Sequence, residues 1–161
     1  MTHSVLLDTS FFIRLLNDED PLHKNAKGYF KYFLENDIVI KTSTITIAEY
    51  CVGGSIDELP LMNIQILPFN LDHAKRAGEF AKVIFEEKKI SGIELSPRAI
   101  IPNDSNLFAQ ADCDNTTLYF VTSDSRSQNT HKLLSNQISP KFEIIDINIP
   151  FTQKFGILDL K

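Results

Sequence analysis

Ser4-Val5-Leu6-Leu7-Asp8-Thr9-Ser10-Phe11-Phe12-Ile13 is the stretch that decides the fold. Four apolar-leaning residues run up to an acid, and a hydroxyl pair then leads into a second apolar run. Such a pattern reads as a short buried strand over 4–8, with Thr9-Ser10 supplying N-cap chemistry for a helix over 11–16. A strand that stops at Asp8 and turns at once into a helix is the opening of an α/β unit. The same grammar recurs at Leu118-Tyr119-Phe120-Val121-Thr122-Ser123-Asp124, where another apolar run closes on an acid.

Between and beyond these two runs the pattern alternates. Pro21 opens a helix to about Glu35, with Ala26, Tyr29, Phe30 and Phe33 on one face. Residues 38–41 read as a strand, Thr42-Ser43-Thr44 as a polar turn, and a helix then carries Ile45, Ala48, Glu49 and Val52 until Gly53-Gly54 stops it. Ile64–Leu67 is a strand. Asn70 precedes a long helix over 71–89 with Ala74, Ala77, Ala81 and Ile84 inward. Residues 90–102 form a loop, 103–113 a helix, 117–122 a strand, 126–137 a helix and 142–147 a last strand. The tail 150–161 has few local cues and is expected to be extended or to contact a partner. Short apolar strands alternating with helices specify a three-layer α/β fold, with a central, mostly parallel sheet of about five strands.

Composition sets the outer bounds. The chain has 161 residues, 43% of them hydrophobic, with 12 Phe and no Trp. It fits one domain over 1–161 with a sizeable aromatic core. The N-terminus lacks the basic start of a signal peptide, and no stretch approaches the ~18 apolar residues of a membrane span. A soluble, cytoplasmic protein is expected, with Cys51 and Cys113 as buried free thiols. His3, His23, His73 and His131 are scattered without zinc-ligand spacing. A formal net charge of −5 speaks against binding nucleic acid by phosphate neutralisation alone. Bound divalent metal would offset that objection.

Four acids stand out: Asp8 and Asp124 at strand ends, Glu49 in a helix, and Asp104 at a helix start. In an open α/β sheet, ligands bind outside the carboxyl ends of the strands. Each acid alone reads as a cap, a turn residue or a favourable charge at a helix N-terminus. Together they form a candidate metal site. Clustered carboxylates repel and raise one another's pKa unless a cation intervenes. Magnesium and manganese prefer oxygen ligands. One such metal activates water for attack on phosphorus, and a second, roughly 3.5–4 Å away, stabilises the leaving oxygen. Arg14, Lys41, Arg98 and Arg126 lie near the same edge as candidate phosphate contacts, Arg126 first among them. Asp112 reads as solvent-facing.

Val5-Leu6-Leu7-Asp8-Thr9-Ser10-Phe11 resembles the opening of PIN domains. Ser43–Tyr50, ending in Glu49-Tyr50, is similar to their second motif, Ile101-Pro102-Asn103-Asp104 to their third, and Tyr119–Asp124 to their fourth. The motifs occur in order and span residues 5 to 124. The resemblance implies a PIN-like fold and a magnesium- or manganese-dependent nuclease acting on RNA. It makes Asp8, Glu49, Asp104 and Asp124 the catalytic and metal-binding acids, with Thr122 and Ser10 supporting them. At this size it points to VapC-type toxins of toxin–antitoxin pairs, homodimers inhibited by a small antitoxin. The segment 88–98 is longer than the usual link into the third motif. Ser125-Arg126-Ser127-Gln128 stands where an aromatic residue often follows the fourth acid. The alternatives are an acidic α/β phosphatase-like phosphohydrolase, against which Ser10 counts, and a non-catalytic PIN-like binding module.

Overall fold

The computed structural model describes residues 2–92 and 103–158. Arg98, the rest of the loop 93–102 and the first two residues of the third motif lie outside them. The elements run β1 (Ser4–Leu7), α1 (Thr9–Leu15), α2 (His23–Glu35), β2 (Val39–Ser43), α3 (Thr44–Tyr50), β3 (Gln65–Leu67), α4 (Leu71–Ile90), α5 (Asn103–Cys113), β4 (Thr117–Thr122), α6 (Ser125–Ser135), β5 (Glu143–Asp146) and α7 (Phe151–Lys154). Two short 3-10 turns, Ile56–Glu58 and Leu61–Asn63, link α3 to β3.

The five strands form one sheet in the order β3-β2-β1-β4-β5, and every pairing is parallel. The chain winds outward from β1 through β2 to β3, then returns to place β4 on the other side of β1. Winding therefore reverses between β1 and β4, and a crevice opens at their carboxyl ends. Leu7 is in register with Val121, so Asp8 and Thr122 come level at that crevice.

Alternation along the central strands divides the core. Val5 and Leu7 face one layer, packing with Phe11, Phe12, Tyr29 and Phe33 of α1 and α2. Leu6 and Phe120 face the other, against Phe80, Ile84 and Phe108 of α4 and α5. All of these side chains are fully buried. Burying each such side chain contributes about 1.5–3 kcal/mol, so the two layers clamp β1 and β4 from both sides. Phe11 and Phe12 are thus both core. The Phe108 and Phe120 rings meet edge to face at 5.0 Å, which fixes α5 over β4.

Several local expectations are corrected. The cap of α1 is Asp8 itself, whose carboxylate accepts from the Phe11 amide; Thr9 and Ser10 are already helical. The second helix starts at His23, because Asp20 accepts from the Leu22 amide and holds a turn there. Thr42 and Ser43 belong to β2, and Ser43 caps α3. Val52 lies beyond α3 and is exposed. The inward stripe of α4 takes Phe80 with Ala77, Ala81 and Ile84, while Ala74 faces solvent. Both cysteines are exposed. The tail folds back as α7, where Phe155 stacks on Tyr32 with ring centroids 4.4 Å apart and Phe151 packs on the bare face of Gly28. No described helix is long and apolar enough to cross a membrane.

Candidate active site

The acids come together because three of them begin helices. Asp8 caps α1 directly after β1, and Asp124 caps α6 just after β4, its Oδ1 accepting from the Arg126 amide at 2.9 Å. Asp104 sits in the first turn of α5. A carboxylate at an N-cap satisfies an otherwise unpaired amide, and the helix dipole favours negative charge there. The cap reading and the site reading of these residues are therefore one placement. Glu49 arrives from α3, half-buried, near that helix's C-terminal end. Asp8, Glu49, Asp104 and Asp124 all line one cavity of about 80 Å³, with Thr9, Ser10 and Ser127.

Asp8 is the best-fixed member and is only 5% exposed. Its Oδ1 accepts from the Ser10 hydroxyl at 2.7 Å and from the Phe11 amide at 3.0 Å. Its Oδ2 accepts from the Thr122 hydroxyl at 2.5 Å. Thr122 also accepts from the Asp124 amide at 3.0 Å, so one hydroxyl ties the first acid to the fourth. Ser10 accepts from the Ser123 amide at 2.9 Å. Burial pushes the Asp8 carboxyl up to about 6 despite those donors, and the charge of Asp104 adds to the rise. Asp104 is also raised, first by burial and then by Asp124, while the hydroxyl of Ser127, donating at 3.0 Å, opposes the shift. A buried and a half-buried acid, both with raised pKa and beside further carboxylates, mark a site in which negative charge is crowded.

Among the described residues, no group of three or more His, Cys, Asp or Glu side chains is gathered so that it could hold a metal ion as it stands. Asp8 is held by Thr122 and Ser10, Asp104 by Ser127, and Asp124 by an amide of its own helix. The fit to a hard divalent cation lies in the donor chemistry, which is all carboxylate and hydroxyl oxygen. It does not lie in a finished coordination sphere.

The candidate cations fall in different places. Arg126 is close to the site, with Nε 3.7 Å from Asp124 Oδ1, and its side chain is 89% exposed. Arg14 binds Asp20 at 2.6 Å, and its Nε lies 3.5 Å from the Ser123 hydroxyl. Lys41 is not at this edge. Its buried ammonium binds Asp114 at 2.5 Å and Thr116 at 2.9 Å, on the side where β4 begins. Asp112 is neither solvent-facing nor in the cavity: it is 3% exposed and accepts from Arg76 Nε and the Lys141 amide. Nor is Glu49 enclosed by apolar neighbours, since Ala48, Cys51 and Val52 are exposed. Ser127 is the site residue that sequence reasoning missed. Its only signal was a hydroxyl three positions after Asp124, in the first turn of the following helix.

A larger groove of about 430 Å³ adjoins the acid cavity and shares Thr9 and Glu49 with it. Ile13, Leu16, Tyr50 and Val52 give it apolar walls.

Comparison with known proteins agrees with this fold. The chain is similar in structure to VapBC2 from Rickettsia felis bound to a DNA fragment from their promoter, at 18% identity and a TM-score of 0.59, over 89% of this chain and 98% of that one. It is similar to VapC20 from Mycobacterium tuberculosis, a Sarcin-Ricin loop cleaving toxin, at 18% identity and a TM-score of 0.51, over 78% and 93% of the two chains. DNA-bound VapBC from Salmonella typhimurium matches at 17% identity and a TM-score of 0.51, over 91% and 99%. At these identities the likeness is one of fold. No curated protein matches the sequence. The PIN domain family matches residues 5–133, a span that takes in Asp8, Glu49, Asp104 and Asp124, and the chain belongs to that family.

Proposed function

We propose that this protein is a divalent-metal-dependent endoribonuclease, hydrolysing RNA phosphodiester bonds at the cavity lined by Asp8, Glu49, Asp104 and Asp124. The observation that carries the proposal is the convergence of these four acids, from four separate elements, on one cavity at the switch point of the sheet. Asp8, Glu49, Asp104 and Asp124 would hold magnesium or manganese. When bound, the ion supplies a water nucleophile and charge stabilisation at phosphorus.

The chain's own residues prepare that chemistry. Thr122 and Ser10 orient Asp8, and the Thr122 hydroxyl also fixes the backbone of Asp124. Burial raises the Asp8 and Asp104 carboxyls, and a bound cation would favour their charged forms. Metal binding would therefore release protons once the pH falls to about 6, where Asp8 is part-protonated. Arg126, exposed beside Asp124, and Arg14, held by Asp20, are the substrate-phosphate contacts. We assign Arg98 to the same task from the sequence.

The protein acts in the cytoplasm as a homodimeric toxin, held inactive by a small antitoxin. The apolar groove that shares Glu49 with the acid cavity supports a partner that covers the site. The solved VapBC complexes support the same pairing by likeness of fold. Incubating matched RNA and DNA oligonucleotides with the protein tests the reading. RNA cleavage with magnesium or manganese, stopped by EDTA, is expected. Cleavage that survives EDTA, or turnover of a phosphomonoester with none of RNA, would refute it.

A further inference from the structure

Ser127 occupies a position that the four-acid account does not use. It is 1% exposed, lines the acid cavity, and donates its hydroxyl to Asp104 Oδ1 at 3.0 Å. Its placement follows from the cap of α6. Asp124 accepts from the Arg126 amide and so sets the first turn of that helix. Side chains at i and i+3 share a helix face, which brings residue 127 beneath Asp124 and toward α5. There it meets Asp104, the second residue of α5.

We infer that Ser127 is a positioning residue: its hydroxyl holds the Asp104 carboxylate in the acid cavity, so that the third and fourth acids act as one unit. The inference rests on the nuclease reading. Three physical points support it. Asp104 and Asp124 repel each other, and a neutral donor restrains one of them without cancelling the charge a cation needs. Asp8 already has this arrangement, since Thr122 and Ser10 are hydroxyl donors to it; Ser127 supplies the matching donor on the α5 side. A serine also occupies little volume, whereas an aromatic side chain, buried here, would compete for a cavity of only about 80 Å³.

Donors that orient a metal-binding carboxylate typically affect metal affinity or activity by about 10–100-fold. The test compares wild type with Ser127→Ala, Ser127→Cys and Ser127→Thr. Cysteine keeps the volume but is a weak donor, and threonine keeps the hydroxyl. Calorimetric Mn2+ affinity is measured without RNA, and kcat and KM with it. Alanine and cysteine are expected to weaken Mn2+ binding and kcat by about 10–100-fold, with KM for RNA little changed. Threonine is expected to retain most of both. Wild-type Mn2+ affinity and kcat in the cysteine or alanine variant would overturn the inference. So would a threonine variant that folds as stably as wild type yet loses as much as alanine. Asp8→Asn runs alongside: if its RNA cleavage equals wild type, the nuclease mechanism fails, while the Mn2+ titration still reads Ser127 directly.

Discussion

Asp8→Asn should make the metal-free protein more stable while abolishing its activity. Burial holds the Asp8 carboxyl at about 6, against 3.8 for the free group. That gap corresponds to about 3 kcal/mol of destabilisation at neutral pH, where the buried group is ionised. Asparagine removes the charge and keeps one carbonyl oxygen for Ser10 and the Phe11 amide. Its amide group must then face Thr122, whose hydroxyl has to turn round, so part of the gain is lost. A net stabilisation of about 1–2 kcal/mol remains, equivalent to about 2–8 °C in Tm for a chain of this length. The sign follows from the raised value: the protonated form's stability is present below 3.8 and is lost as pH rises through about 6. The advantage of the variant should therefore be largest at pH 7.5 and fade toward pH 4.5. Thermal unfolding in EDTA across that range is the assay. A variant less stable than wild type at pH 7.5, or an advantage independent of pH, would refute the reasoning. Added Mg2+ should raise Tm for wild type and not for the variant.

Four further outcomes are expected. Thr122→Val, which strips Asp8 of a donor and the Asp124 amide of its acceptor, should cost about 2 kcal/mol in urea unfolding. Because the lost bond lowered the Asp8 carboxyl, that carboxyl should titrate still higher in the metal-free variant, as read by NMR in EDTA. Lys41→Met should destabilise by about 3–5 kcal/mol through the stranded Asp114 carboxylate, while leaving the metal dependence of the folded protein's cleavage unchanged. Arg126→Ala should leave Tm unchanged, raise KM for RNA and flatten its salt dependence, as expected for an exposed phosphate contact. Phe155→Ala should lower stability by about 2 kcal/mol, because the half-buried ring stacks on Tyr32 and ties the tail to α2; an unchanged Tm would mean the tail is not docked in solution.

How far the sequence could be read depended on whether a residue's role was local. β4 and α5 match their expected bounds because each is a clean run between strong punctuation, Asn103 on one side and the polar Thr122-Ser123-Asp124 on the other. The four acids were legible because each closes an apolar run or opens a helix, and those are the places where a parallel sheet presents its crevice. Long-range partners were not legible. Nothing near Lys41 in sequence announces Asp114, nor does anything near Asp112 announce Arg76. Ser43 reads as a turn residue by composition, yet pairing with Leu67 keeps it in β2. Phe151 and Phe155 show no amphipathic repeat in so short a segment, and their docking depends on the bare face of Gly28 and the ring of Tyr32. Ser127 was missed for the same reason: its partner, Asp104, lies on another helix.

Locating Mn2+ by anomalous diffraction in crystals of the active protein tests the central claim most directly. A peak is expected within roughly 2.0–2.3 Å of carboxylate oxygens in the cavity of Asp8, Glu49, Asp104 and Asp124. The peak should be lost in Asp8→Asn together with RNA cleavage. An ion bound elsewhere, or full cleavage by a protein with no ion in that cavity, would contradict it.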